Sequence, residues 1–318
     1  MNVVCKTTSE LSREEIEEIN SLFEEVFEVK RTPELFLSNY TNTPFGLSYH
    51  SVLYNDDGAI VGFHTCMPFR YMDGDTEFKA ALGIDSMVHK EYRDYFSFHD
   101  MIRCCEKRLK KDGFALRLGF PNDNSYPVLK KGLKYKDIGR LKTYCMIKNV
   151  GGYKKSLGFL NWASTAFSNM QLLLSRLSSS SKIYEFRYRK HRDSFNTIRY
   201  RWFFGDYKIV KKPGIEYAYR VKLHEGVRTA FILDVHPMSR KNFESAVREV
   251  YKAEKKNIDM ILYVGNLPFT PISLLTIPHK YEPKHFNFTC NVLDKGMFDS
   301  EILKIENWDV NLSNYDLL

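Results

Sequence analysis

The sequence predicts a mixed α/β fold (an α+β mixed sheet), and three observations carry that prediction. Segments that alternate apolar and polar residues are interleaved with segments of helical period. Asn55–Asp56–Asp57–Gly58 separates two apolar runs as a hairpin turn. "SMVHKEYRDYFSFHD", residues 86–100, takes a buried strand through a short basic loop straight into a helix. Over the first 149 residues the predicted order is βααβββαβαβ.

Each element is readable in turn. Residues 2–8, NVVCKTT, form a strand. In SELSREEIEEINSLFEEVFE, Ile16, Ile19, Phe23, Val26 and Phe27 recur at helical spacing, with Ser12 as N-cap and Glu15 completing a capping box. Pro33 opens a second short helix, a position where its missing N–H costs nothing. YHSVLYN and AIVGFHTCMPFRYM are the hairpin strands. In EFKAALGIDSMVH one parity, from Phe78 to Val88, is expected to face the core. The other (Glu77, Lys79, Ala81, Gly83, Asp85, Met87, His89) is expected to form an open, small and polar face. Ser97 is expected to cap the next helix and Asp100 to sit in its first turn. Phe98, Met101, Ile102, Cys105 and Leu109 give that helix its stripe, and Gly113 ends it. FALRLGF is a strand, PNDNSYPVLKKGLKYKDIG a loop, short helix and turn, and LKTYCMIKNV the last strand of this half.

Beyond it, residues 157–177 are very apolar, interrupted by Asn161, Ser168, Asn169 and Gln171. They read as a helix between two halves. The sharper alternative is an interfacial helix making peripheral membrane contact beside a basic cluster. Ser178–Ser181 reads as a flexible joint. YAYRVKLHEGVRTAFILDVHP gives two strands turning at Glu225–Gly226, SRKNFESAVREVYKAEKKN a capped helix, and IDMILYVG a strand. The expected division is 1–150, a basic and apolar linker at 151–184, and 185–318.

Composition narrows the function. The 318 residues suit two domains, and 43% hydrophobic content supplies a core. The N-terminal MNVVCKTTSELSREE lacks a signal-peptide core, and no uncharged run is long enough to span a bilayer. Six cysteines (5, 66, 104, 105, 145, 290) form no CxxC pair, so they read as reduced thiols of a cytoplasmic protein. No metal-ligand set is read. The net charge of +8 is uneven: residues 151–212 hold 13 Lys plus Arg against 3 acidic residues, a net of +10. That points to an anionic partner. No helix-turn-helix, zinc-finger or RNP pattern accompanies it, so nucleic acid is not expected.

The ordered set of motifs at residues 1–149 resembles the GNAT N-acetyltransferase superfamily. SMVHKEYRDYF is similar to the family's strand end and loop at Val88, Glu91, Tyr92 and Arg93, and GFPNDNSYPVLKKGLKYKDIGRL to its next segment. RDSFNTIRYRWFFGDYKIV (192–210) and the tail IENWDVNLSNYDLL resemble segments of two-domain GNAT proteins associated with surface-polysaccharide genes. The resemblance implies a tandem GNAT-like acyl-CoA N-acyltransferase fold of two mixed-sheet halves. The second half lacks the R-x-x-G-x-G text and is expected to bind no cofactor.

By the same resemblance the cofactor is acetyl-CoA, and the reaction transfers its acyl group to an amine, such as that of an amino sugar or nucleotide sugar. The cofactor loop is then Met87, Val88 and His89 with Arg93, Asp94, Tyr95, Phe96, Ser97 and Phe98, joined by Asn122 and Asn124. Chemistry needs a group to take the amine proton and one to protonate the leaving sulfur. Asp85 and Glu77 are candidates for the first. For the second, the family's tyrosine position falls on Leu129, and Tyr126, one turn earlier, is the candidate. The loop itself departs from the family. Phe96 and Phe98 stand where small residues let amides approach a pyrophosphate, and Asp94 adds a like charge. The alternative reading is a non-catalytic GNAT-fold binding or scaffold protein.

Overall fold

The computed structural model describes residues 1–41, 46–177, 180–191, 207–282 and 284–315. Most of the expected entry segment at 192–210 and half of the serine run fall outside these residues. In chain order the elements are β1 (Asn2–Thr7), α1 (Arg13–Phe27), α2 (Pro33–Thr41), β2 (Tyr49–Tyr54), β3 (Ile60–Asp73), β4 (Thr76–Val88), α3 (Tyr95–Lys111), β5 (Leu116–Gly119), β6 (Lys136–Arg140), β7 (Lys142–Ile147), α4 (Val150–Tyr153), α5 (Asn161–Leu174), β8 (Tyr188–Lys190), β9 (Tyr207–Lys212), β10 (Ile215–His224), β11 (Val227–His236), α6 (Arg240–Glu254), β12 (Met260–Gly265), β13 (Leu275–Thr276) and β14 (Asn287–Val292). Ser12 caps α1, and its reciprocal box with Glu15 is formed. Asn55 closes the β2–β3 turn by accepting from the Asp57 and Ala59 amides. Gly58 there takes φ +83°, a region a side chain rarely adopts.

The chain divides into two compact units that interleave in sequence. Unit 1 is Met1–Gly139, Tyr188–Phe203 and Phe286–Ile305; unit 2 is Arg140–Arg187, Phe204–His285 and Glu306–Leu318. The unit 1 sheet has the order β1-β2-β3-β4-β5-β14-β6, with β8 on β3; the unit 2 sheet has the order β13-β7-β12-β11-β10-β9. In unit 1 β4 and β5 are parallel, with α3 as the crossover. In unit 2 β11 and β12 are parallel, with α6 as the crossover.

Aligned on these crossovers, β2-β3-β4-β5-β14-β6 and β9-β10-β11-β12-β7-β13 are the same arrangement. The two units are therefore tandem GNAT-like mixed sheets. In each, one interior strand comes from a remote part of the chain. β14 follows unit 2's β13 yet lies against β5, from Thr289↔Gly119 to Val292↔Leu116. β7 follows unit 1's β6 yet pairs with β12, from Met260↔Ile147 to Gly265↔Lys142. LKTYCMIKNV is thus not the last strand of the N-terminal sheet, as its position suggested. Its apolar alternation fits either sheet, and only long-range pairing distinguishes them.

Unit 1 buries Ile16, Ile19, Phe36, Tyr40 and Phe63 between α1, α2 and the sheet. The other face packs Cys66, Ala81, Cys105, Leu109 and Phe114. Unit 2 has its own core around Phe243, Val247, Ile261 and Tyr263.

Within the α1/α2 face His50 is buried and bonds Thr8 and Thr65. Burial foremost, then Arg31 and His64, push its imidazole down from 6.5 to about 3. The folded state keeps His50 neutral, while the unfolded chain protonates it near pH 6.5. Its contribution is therefore complete above that pH and is lost as pH falls toward 3, by up to about 1.4 kcal/mol per pH unit. Urea midpoints between about pH 7 and pH 4.5 should fall less steeply in His50→Gln than in the wild type; equal slopes refute the assignment.

Candidate functional site

The site is built on β4. Its expected single parity breaks at Asp85, which takes a left-handed φ of 45°. The register with β3 shifts there, between Phe63 and Thr65. This bulge puts Ile84 and Met87 together on the α1/α2 face, whereas Val88 packs on the α3 face with Met101. Met87 is thus core rather than open face. The parallel pairing with β5 ends at Gly83↔Gly119, while β4 continues to Val88. Past that point β4 and β5 are unpaired, which leaves the sheet split beside the helix start.

Asp85 points to the α1/α2 face. It accepts the Tyr40 hydroxyl and lies 3.7 Å from Arg31 Nη1. Arg31 is itself sandwiched, its guanidinium 4.0 Å from the Phe23 ring and 4.9 Å from Phe36. Burial, then the Asp85 charge, hold the Tyr40 phenol well above its usual value. Glu77 is eight residues earlier on the strand, about 26 Å away at strand rise. It meets Arg70 and His191. The structure does not bring the two expected carboxylates together. Tyr126 donates to Asp137 at 3.1 Å, and Leu129 is buried against Ile102 and Tyr135.

The junction differs from its expected capping. Asp94, not Ser97, is the N-cap of α3, accepting from the Ser97 amide. Ser97 is the third residue of the helix and its hydroxyl donates to the Tyr92 carbonyl. Asp100 consequently lies beyond the first turn. The Ser97 and Phe96 amides draw the Asp94 carboxyl below its usual value. These are amides of the kind that a helix N-terminus offers to an anion. Arg93 folds back, its Nε and Nη2 donating to the Val88 carbonyl at 3.3 and 3.1 Å. His89 is held by Glu25 at 3.0 Å. Phe96 is 68% exposed, whereas Phe98 turns into the apolar contacts beneath the helix and does not line the loop. Asn122 caps its own turn through the Asn124 and Ser125 amides.

Under the split lies a buried polar line that the sequence reading missed. Arg117 on β5 is 3% exposed. It contacts Tyr135, the Cys66 sulfur at 3.3 Å, His64 Nε2 at 2.7 Å and Glu106 at 3.6 Å. Arginine only donates, so His64 Nε2 must accept and its proton sits on Nδ1. Nδ1 then donates to the exposed Ser86 hydroxyl at 2.6 Å. This leaves the Ser86 proton to face outward from the bulge.

Burial opposes ionisation of Cys66. The Cys105 thiol and the Arg117 charge outweigh it and bring the Cys66 thiol well below its usual value. Gly83 makes room for the line, because a Cβ there would stand 2.7 Å from Arg117 Nη2. The available signal was an arginine at an apolar strand position in FALRLGF.

Residues 7–131 match the acetyltransferase (GNAT) domain family model. Solved structures resemble most of the chain in fold. GCN5-related N-acetyltransferases from Kribbella flavida and Anabaena variabilis ATCC 29413 each align with a TM-score of 0.57 and 12% identity. The first alignment covers 92% of this chain and 71% of that one; the second covers 91% and 73%. A conserved Enterococcus faecalis V583 protein described as a probable N-acyltransferase aligns at 0.55 and 14%, over 92% and 73%. No curated protein matches the sequence. The GNAT match spans β2 to β5 with α1, α2 and α3, and stops before β6 and β14.

A metal-ligand geometry occurs in unit 2 that the sequence reading also missed. The ligand atoms of His279, Glu282 and His285 lie within 4.8 Å of one another, and the signal was His-x-x-Glu-x-x-His. Glu282 accepts from His279 at 3.2 Å and from the Thr143 amide.

Proposed function

We propose that unit 1 binds acetyl-CoA at the β4–α3 junction and transfers the acyl group to the amine of a small molecule, an amino sugar or nucleotide sugar being the class its resemblance favours. The observation that carries the reading is the split between β4 and β5 beside a capped helix start, within a GNAT-matching segment. Asp85 and the Tyr40 hydroxyl lie on the α1/α2 side of the bulge and would meet the amine there. Ser86, whose oxygen is held by His64 and whose proton turns outward, would hydrogen-bond the departing thiolate, which then takes the proton released by the amine. Arg117 fixes the His64 tautomer and so the direction of that proton.

Asp94 supports a second reading, a binding protein with little cofactor affinity, because its carboxylate already occupies the helix start. Calorimetry with acetyl-CoA separates the two. Asp94→Asn keeps the cap and removes the charge, so it should bind about fivefold more tightly than wild type. Ser86→Ala should release CoA more slowly in a thiol assay, with acetyl-CoA binding retained. Absence of saturable binding in both wild type and Asp94→Asn would leave the binding-protein reading standing.

A further inference from the structure

Helix α5 is amphipathic in the inverse sense. Its polar side faces the protein. Ser164 and Thr165 both donate to the Lys148 carbonyl, at 2.7 and 3.0 Å, and Ser168 donates to that of Ile147 at 3.1 Å. Gln171 is buried, and Ser175, just past the helix, is buried against Arg248. The opposite side carries Trp162, Phe167, Met170, Leu173 and Leu174, and Leu177 follows in the next turn, all exposed; Trp162 is 75% and Leu177 77% exposed. Phe159 and Tyr153, just before the helix, are exposed as well. A helix that only packed on unit 2 would turn these side chains inward, since each buried one is worth roughly 1.5–3 kcal/mol. The Ser164, Thr165 and Ser168 hydroxyls on the inner side hold it the other way round. Such a contiguous apolar face marks an interaction surface.

Charge identifies the occupant. From Val150 to Tyr184 there is no Asp or Glu, while Lys154, Lys155, Arg176 and Lys182 flank the apolar face. A second copy, docked through the same face, would bring these like charges together in a protein of net charge +8. An anionic bilayer surface meets both features. Apolar and aromatic side chains enter the acyl–headgroup boundary, and lysines and arginines reach the phosphates. From Asn161 through Leu177 the segment is about 25 Å long, suited to lying flat. No helix among the described residues is long and apolar enough to cross a membrane. We infer that α5 and its flanks attach this protein peripherally to an anionic lipid surface.

The test is flotation with phosphatidylcholine vesicles, with and without about one-third phosphatidylglycerol. The full chain should float with the anionic vesicles and much less with the neutral ones. Trp162→Ser combined with Leu173→Ser should weaken binding about tenfold or more, with circular dichroism and Tm unchanged because both side chains are exposed. Lys154→Glu with Lys155→Glu should weaken binding to the anionic vesicles alone. Light scattering reports the competing occupant. A dimer that Trp162→Ser/Leu173→Ser dissociates, without flotation of the wild type, would make the face a self-interface and overturn the proposal. A monomer that ignores both vesicles overturns it equally. None of these readouts depends on acyl transfer.

Discussion

Arg117→Ala lowers the free energy of unfolding by about 3 kcal/mol, near the bottom of the range for breaking a buried ion pair. Urea denaturation at neutral pH measures it. The loss has a specific source. Glu106 is buried and accepts from Tyr135 at 2.7 Å and Asn291 at 2.8 Å, with Arg117 close by. Without the guanidinium, a carboxylate remains in a low-dielectric site with less compensation. Arg103 still reaches its second oxygen at 3.1 Å, which keeps the cost from being larger. Arg117→Leu with Glu106→Gln should recover part of the loss, because the unpaired charge is gone. A single-mutant cost under about 1 kcal/mol would show that the pair carries no buried charge. The same variant also frees His64 Nε2, so the Ser86 proton loses its fixed direction.

A fragment of residues 1–150, the N-terminal half as its motifs delimit it, will not unfold cooperatively. Its sheet lacks β14, which lies between β5 and β6. With β14 go Phe288 and Cys290, both buried, and the stack of Phe288 on Phe120 at 4.8 Å. Losing a core phenylalanine alone costs about 3–5 kcal/mol, and a domain holds only about 5–15 in total. Four-residue β5 would also be left as a bare edge beside the split, an invitation to aggregate. Joining residues 286–305 to the fragment through a flexible linker should restore a cooperative transition in thermal denaturation. A sharp transition in the fragment alone would show that the exchanged strand is dispensable.

Much of unit 1 was legible in the sequence, and the reason is range. The Ser12–Glu15 box, the Asn55–Gly58 turn, the Pro33 helix start and the stripe of α3 each depend on residues within one or two turns. The loop was placed correctly between β4 and α3, but its cap was assigned three residues late. Asp94 and Ser97 are both good capping residues, and the pattern alone does not choose between them. In the structure Ser97 is engaged by the Tyr92 carbonyl, which leaves the capping role to Asp94.

The parity of β4 failed for a different reason. Extrapolating a period of two from Phe78 onward presumes no bulge, and the left-handed Asp85 inserts one. That one residue sends Asp85 toward Arg31 and Ser86 toward His64. Adjacent strand residues face opposite sides in any case; the bulge inverts the sides, so that Asp85 meets Arg31 on the face opposite to the one where Gly83 meets Arg117.

The sequence by itself determined the local elements, the mixed α/β class, the strand–loop–helix junction and the excess of positive charge around residues 151–212. The tertiary structure decided which sheet receives β7 and β14, which face each residue of β4 meets, and that the apolar side of α5 points outward. Apolar period and capping chemistry act between neighbours along the chain and can be read from them. Strand exchange, the Arg117–His64–Ser86 line and the seating of α5 on the carbonyls of residues 147 and 148 join partners that are distant in sequence. No local pattern encodes those partners, so only the folded chain shows them.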